Sequence, residues 1–224
     1  MNKRLYTLLA IIVLFTFTIP QLQADEETAE VVQMVLAGKI NKGLVTALNN
    51  MGGRSIGLCG MDGRMIEAAM MDEKLGYVGQ IEKIRPQPIL DLLEKGYIPV
   101  ISTLGLGKDG HVYNINADTA AACIAGSLGA ESLIAMTDTP GVLYDPNDAA
   151  TLITALTPAD VQRLRDEGVI SGGMIPKIEC CLTALEKGVR KVFIIDGRVP
   201  HAILIETLTD EGIGTMFVKE RSCV

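Results

Sequence analysis

Tyr113-Asn114-Ile115-Asn116-Ala117-Asp118 sets a carboxamide and a carboxylate four residues apart where a helical pattern begins. Gly172-Gly173-Met174-Ile175-Pro176-Lys177 sets a lysine behind a glycine pair, again where a helix begins. An amide, an acid and a helix-borne lysine can handle phosphate and carboxylate groups together, because a helix N-terminus offers unpaired N–H groups and its positive dipole end to an anion. A plainer reading makes Asn116 a helix cap and Asp118 an acid favoured in the first turn. That reading explains the helix and leaves Asn114, which precedes it, without a role. The functional reading aims Asn114 and the helix N-terminus at an anionic ligand, with Asp118 orienting nearby lysines. Gly172-Gly173 is then either a simple loop or the opening through which Lys177 reaches a phosphate.

Other motifs carry less. Gly105-Leu106-Gly107-Lys108-Asp109-Gly110 fits G-x-G-x-x-G and follows a strand pattern. The dinucleotide fingerprint needs its last glycine inside a helix packed on the sheet. Here Lys108-Asp109-Gly110 is followed by His111-Val112-Tyr113, which reads as a hairpin turn and a strand. No Walker lysine motif occurs. His111 and His201 have no partnered nucleophile, and neither a serine–histidine hydrolase nor a zinc site finds support.

The 224 residues suffice for one large domain or two small lobes. Twenty basic against 27 acidic side chains give a net charge of −7 and no basic stripe for nucleic acid. Lys3 and Arg4 precede an apolar run from Leu5 to Ile19 and a small-residue end at Ala24, the pattern of a secretory signal, with an uncleaved anchor as the alternative. Without that segment two positive charges are lost and the body carries −9. The five cysteines, at 59, 123, 180, 181 and 223, are odd in number and form no CxxC pair. They argue against a disulfide framework and for a cytosolic body. The two addresses conflict.

From Asp25 the pattern is α/β. Val31 to Leu48 is helical and stops at Gly52-Gly53; Ser55 to Leu58, Arg64 to Met70, Gly76 to Ile84 and Ile98 to Ile101 read as strands, with a helix from Pro86 to Lys95. Thr119 to Leu128 continues the helix that Asn116 starts. Leu133 to Met136, Lys191 to Asp196 and Thr215 to Val218 are further strands. Thr157-Pro158-Ala159-Asp160 opens a helix with a hydroxyl cap, proline at its first position and an acid beyond. Ile178, Cys181, Leu182 and Leu185 form one apolar stripe, and Pro200 to Leu208 is a last helix. This alternation predicts a mainly parallel sheet covered on both faces.

Together these residues resemble the N-acetylglutamate kinases of the amino acid kinase family, from about Asp25 to Lys219. The likeness includes the helix Glu26 to Lys39, Leu75-Gly76-Tyr77-Val78-Gly79, Gly96 to Ile101, Thr137-Asp138-Thr139-Pro140-Gly141-Val142, and Ile194 to His201. Sister kinases for carbamate, aspartate, glutamate or UMP fit less well. The resemblance implies an αβα sandwich, with 25–132 the remainder of an acceptor-binding lobe and 133–224 an ATP-binding lobe. It implies transfer of the ATP γ-phosphoryl group to the side-chain carboxylate of N-acetyl-L-glutamate in arginine biosynthesis, with Mg²⁺ held mainly by the ATP phosphates. Lys177 and Asp118 become catalytic, Asn114 acceptor-binding, and Asp138, Thr139, Pro140, Gly141, Val142, Leu143, Val169, Ile170 and Ser171 nucleotide-binding. No metal-ligating residue is implied. Glu206 and Gly212 match an arginine-inhibitor site, though Phe193 stands where many inhibited members carry histidine. A cytoplasmic homo-oligomer that does not bind nucleic acid is implied as well. The family's N-terminal strand, its lysine-bearing first glycine loop, a second glycine-rich loop and an acceptor-gripping arginine are expected before Asp25, where the signal-like segment stands. Their loss should open a sheet edge to aggregation. It also leaves an alternative, an inactive relative that binds nucleotide or a partner.

Overall fold

The computed structural model describes residues 25–209 and 212–220, so the signal-like segment 1–24 lies outside the described residues. The described residues fall into two units that part between Leu128 and Gly129. The first contains α1 (Glu26–Gln33), a π-helical stretch (Met34–Ile40), α2 (Asn41–Asn50), β1 (Ser55–Cys59), β2 (Ile66–Met70), β3 (Val78–Ile84), α3 (Gln87–Glu94), β4 (Ile98–Ser102), β5 (Leu104–Gly107), β6 (Val112–Ile115) and α4 (Ala117–Leu128). Asp25 caps α1, its carboxylate accepting from Thr28 N at 2.8 Å.

The sequence reads Val31 to Leu48 as one uniform helix; the structure inserts the π stretch. That wider winding changes which side chains face the strands. The first residue after it, Asn41, is buried, and its Nδ2 donates to Leu58 O on β1 at 3.1 Å and to Val100 O on β4 at 2.8 Å. Gly57 leaves room for it, since a Cβ there would stand 1.9 Å from Asn41 Oδ1. Glu26–Asn50 is long and apolar enough to cross a membrane by length and composition. Its polar residues nevertheless bond strand backbone.

β1 and β4 pair in parallel, Ser55 opposite Ile98. Among the described residues, side chains take backbone groups of β1 that β4 does not bond. Asn49 grips Ser55, Oδ1 accepting its N–H at 2.7 Å and Nδ2 donating to its carbonyl at 3.3 Å. Lys42 Nζ donates to Gly57 O at 3.2 Å, and Asp62 Oδ2 accepts from Cys59 N at 2.8 Å. Side chains thus occupy groups that a neighbouring strand would otherwise bond.

β2, β3, β6 and β5 close into a small barrel. Its core holds Ile66, Ala68, Tyr113 and Ile115 and continues to Ala120 and Ile124 of α4. The G-x-G-x-x-G stretch is the hairpin its turn residues indicate: β5 and β6 run antiparallel, Gly107 N donates to His111 O at 2.9 Å, and Gly110 adopts φ +89°.

The second unit holds β7 (Ser132–Thr137), β8 (Ala155–Leu156), α5 (Pro158–Asp166), α6 (Met174–Glu186), β9 (Lys191–Asp196), α7 (Ala202–Leu208) and β10 (Thr215–Val218). The sheet order is β7-β9-β10-β8, with β7 and β9 parallel from Ser132–Lys191 to Thr137–Asp196 and β10 antiparallel to β9. Five of the eight strand pairings among the described residues are parallel, so parallel pairing predominates as expected. The short β5 and β8 have no counterpart in the sequence reading. α7 starts at Ala202 rather than Pro200 because His201 takes a left-handed φ of +61°, which ends one turn before the helix begins. Thr157 and Asp160 form the expected capping box on α5, with Pro158 in its first turn.

Candidate active site

Asn114 lies near the end of β6, half-buried, between two partners: it pairs with Val78 of β3 and Leu104 of β5, and its N–H donates to Tyr77 O at 2.9 Å. Asn116 caps α4, its Oδ1 accepting from Thr119 N at 3.0 Å and from Thr119 Oγ1 at 3.2 Å. Asp118 follows in the first turn, where the dipole favours a carboxylate. The plain and functional readings of this stretch are therefore compatible. Asn116 makes the helix, while Asn114 and Asp118 bracket the strand-to-helix turn.

Tyr113, beside Asn114, fills the barrel and donates its hydroxyl to Asp109 Oδ2 at 2.5 Å. Burial, and secondly the Asp109 carboxylate, push this phenol up to about 12. The same hydrogen bond holds the Asp109 carboxyl below its ordinary value of 3.8. The signs are opposite at the two ends of the pH scale. The raised tyrosine contributes stability that is complete below its unfolded value of 10.0 and is lost as pH rises toward about 12. The depressed aspartate contributes stability present above 3.8 and lost as pH falls through its lower folded value. Urea midpoints measured against pH should fall on the alkaline limb between these values, and Tyr113→Phe should remove its part of that fall.

In the second unit Lys177 is the fourth residue of α6, half-buried. Gly173 caps the helix and Gly172 takes φ +57°. A Cβ on either glycine would meet no atom within 4 Å. The left-handed backbone accounts for glycine at 172, and no described residue explains glycine at 173. Lys177 makes no hydrogen bond or ion pair with the described residues.

Asp138 to Leu143 leave the carboxyl end of β7, where open α/β sheets bind ligands. Thr137 Oγ1 closes the turn by accepting from Thr139 N at 3.1 Å. Gly141 is buried at φ +145°, and Val142 N donates to Thr215 Oγ1 at 2.8 Å. Thr215 in turn donates to Ile153 O at 2.7 Å, tying the loop to β10 and to the segment before β8. Leu143 bridges Leu152. Val169 and Ile170 turn off α5, both N–H groups reaching Leu164 O, and Ser171 accepts from Met174 N at the start of α6. An open concavity of about 630 Å³ lined by Thr157, Pro158, Ala159, Asp160, Lys219 and Glu220 contains none of the candidate residues.

Asn114 and Asp118 share the first unit; Lys177, the Asp138–Leu143 loop, Val169–Ser171, Glu206 and Gly212 share the second. A model of the amino acid kinase family matches residues 7–196. The acetylglutamate kinase of Brachyspira hyodysenteriae is 54% identical over 198 residues, covering 88% of this chain and 69% of that protein. The chain belongs to the amino acid kinase family. The match starts ahead of Asp25, from which the motif resemblance runs.

Solved structures agree with the family. The Streptococcus mutans protein smu.665 has a TM-score of 0.73 at 31% identity, covering 88% of this chain and 74% of that one. The Neisseria gonorrhoeae N-acetylglutamate synthase, crystallised with coenzyme A and N-acetyl-glutamate, gives 0.76 at 28%, covering 88% of this chain and 45% of that one. As an amino acid kinase the chain is a phosphotransferase, and its α/β architecture is the fold of that family.

Two features of this kinase have no role assigned by the sequence motifs. Thr215, fully buried, holds the nucleotide-loop candidate from 73 residues away, a separation that leaves no local signal. Asp196 ends β9 beside that loop's own strand and clamps Arg198 through Nε at 2.9 Å and Nη2 at 2.8 Å. Their Asp-x-Arg spacing is visible in the quoted Ile194 to His201 stretch.

Proposed function

We propose that this chain is an acetylglutamate kinase, transferring the γ-phosphoryl group of ATP to the side-chain carboxylate of N-acetyl-L-glutamate. The observation that carries the proposal is the conjunction of two helix starts, Asn114-to-Asp118 at α4 and Gly172-to-Lys177 at α6, in a chain 54% identical to an acetylglutamate kinase. A carboxylate acceptor is ionised at neutral pH, so no general base is needed. The task is to hold two anions in line and neutralise the charge of the group in flight. Asn114 holds the acceptor, Lys177 stabilises the transferring group, and Asp118 orients the cationic groups around it. The loop Asp138–Leu143 and the turn Val169–Ser171 receive the nucleotide. A magnesium ion would be held mainly by the phosphates of ATP. In this reading 25–132 handles the acceptor and 133–224 the nucleotide. In this reading the body of the chain acts in the cytoplasm, as its cysteine usage and the family's function imply, and as a homo-oligomer, as the family resemblance implies.

The test is hydroxylamine trapping of acyl phosphate from the purified chain with Mg-ATP and N-acetyl-L-glutamate. A hydroxamate product supports the proposal. ATP binding without product would replace it with an inactive relative.

Arginine as an inhibitor belongs to the same proposal. Glu206 Oε2 accepts from Ile213 N at 2.8 Å and Gly214 N at 3.1 Å, and Gly212 turns beside it at φ +52°. The carboxylate thereby gathers the turn around itself, and Oε1 would take a guanidinium. Phe193 contributes a buried ring beside Ile195 and Ala202 in place of a histidine. Calorimetry should show heat with arginine that Glu206→Ala abolishes. A flat wild-type titration would remove arginine from the proposal.

A further inference from the structure

Side chains alternate along β6, so Tyr113 and Ile115 enter the barrel while Asn114 faces the other way. The barrel is shaped around the Tyr113 ring. A Cβ on Gly79 would lie 2.6 Å from Tyr113 Cβ, and one on Gly107 would lie 2.7 Å from Tyr113 Cε2. An apolar plug alone fixes no position along the barrel axis. The directional bond from the Tyr113 hydroxyl to Asp109 Oδ2 does.

The other carboxylate oxygen leads to Asn114 by a second route. Asp109 Oδ1 accepts from His111 N at 3.0 Å. The His111 ring meets the Tyr77 ring edge-on with centroids 5.3 Å apart, and Tyr77 O accepts the Asn114 N–H at 2.9 Å. Asn114 is therefore held through its covalent neighbour and through its own amide, and both routes end on one carboxylate. Gly107 is part of the same lock, since a Cβ there would stand 2.1 Å from Asp109 Oδ1.

We infer that Asp109 is a positioning residue for Asn114, acting through Tyr113 on one side and through His111 and Tyr77 on the other. The inference rests on the reading of Asn114 as the acceptor contact. Asp109 touches no substrate; it sets where the Asn114 amide stands when the acceptor arrives.

The test compares the full chain with Tyr113→Phe, Asp109→Ala and Asp109→Asn. Two quantities are measured: affinity for N-acetyl-L-glutamate by calorimetry, and hydrogen exchange of the Asn114 amide by NMR. Tyr113→Phe and Asp109→Ala should each weaken acceptor binding and speed Asn114 exchange by about tenfold. ATP affinity and exchange of Ala121 within α4 should stay unchanged. Asp109→Asn keeps one oxygen acceptor at the turn, enough for only one of the two bonds that the carboxylate accepts, and should restore part of both quantities. Unaltered acceptor affinity together with unaltered Asn114 exchange in Asp109→Ala would overturn the inference. So would equal acceleration at Ala121, which means general loosening. If the unmutated chain binds no N-acetyl-L-glutamate, the acceptor reading of Asn114 falls by itself, and the exchange measurement alone judges whether Asp109 positions that strand.

Discussion

Lys177→Ala is expected to cut acyl-phosphate formation by roughly 10²–10³-fold, the usual loss when a donor aimed at transition-state charge is removed. ATP affinity should change little, because the lysine meets its full partner charge only as the phosphoryl group leaves ADP. The fold should be indifferent to the change. Lys177 is half-buried, bonds none of the described residues, and sits where α6 tolerates alanine well. Lys177→Arg should recover only part of the rate, since a planar fork cannot replace a compact ammonium in the same space. Hydroxamate rates and thermal midpoints measured on the same preparations separate chemistry from folding. An alanine variant as fast as the parent would remove Lys177 from the mechanism.

Gly141→Ala should do the reverse and damage the structure first. The residue adopts φ +145°, where a side chain is strained, and its Cβ would stand 2.6 Å from Thr215 Oγ1 and 3.1 Å from Thr215 N. The second contact is with backbone and cannot swing aside. The Thr215 hydroxyl also holds Val142 N and Ile153 O, so moving it releases two further bonds. Overpacking of this kind costs about 1–3 kcal/mol. The urea midpoint should drop accordingly, and affinity for ATP should fall with it as the Asp138–Leu143 loop shifts. Unchanged nucleotide affinity in a destabilised variant would separate that loop from the nucleotide site.

The sequence makes the chemistry-bearing turns legible because their signals are local. Asn116 caps the helix three residues ahead of the N–H it satisfies, and Thr157 and Asp160 do the same for α5. Lys108-Asp109-Gly110 declares a hairpin whatever the G-x-G-x-x-G pattern suggests. Contacts between distant segments stay hidden. Thr215 beneath the Val142 loop, the closure of β2, β3, β6 and β5 into a barrel, and the approach of Asn41 to Gly57 depend on tertiary packing that no window of sequence contains. The backbone of β1 illustrates the same limit: Lys42, Asn49 and Asp62 bond Gly57 O, Ser55 N and Cys59 N, and no periodicity marks them for that role.

Asn41 and Gly57 are two halves of one choice. The amide that reaches carbonyls on β1 and β4 passes through the space a Cβ at 57 would fill. A lineage that acquires alanine or anything larger at 57 must shorten or replace residue 41, and one that keeps asparagine at 41 is bound to glycine at 57. The pair should therefore vary together across relatives, a historical record of the contact that can be read from sequences without any structure.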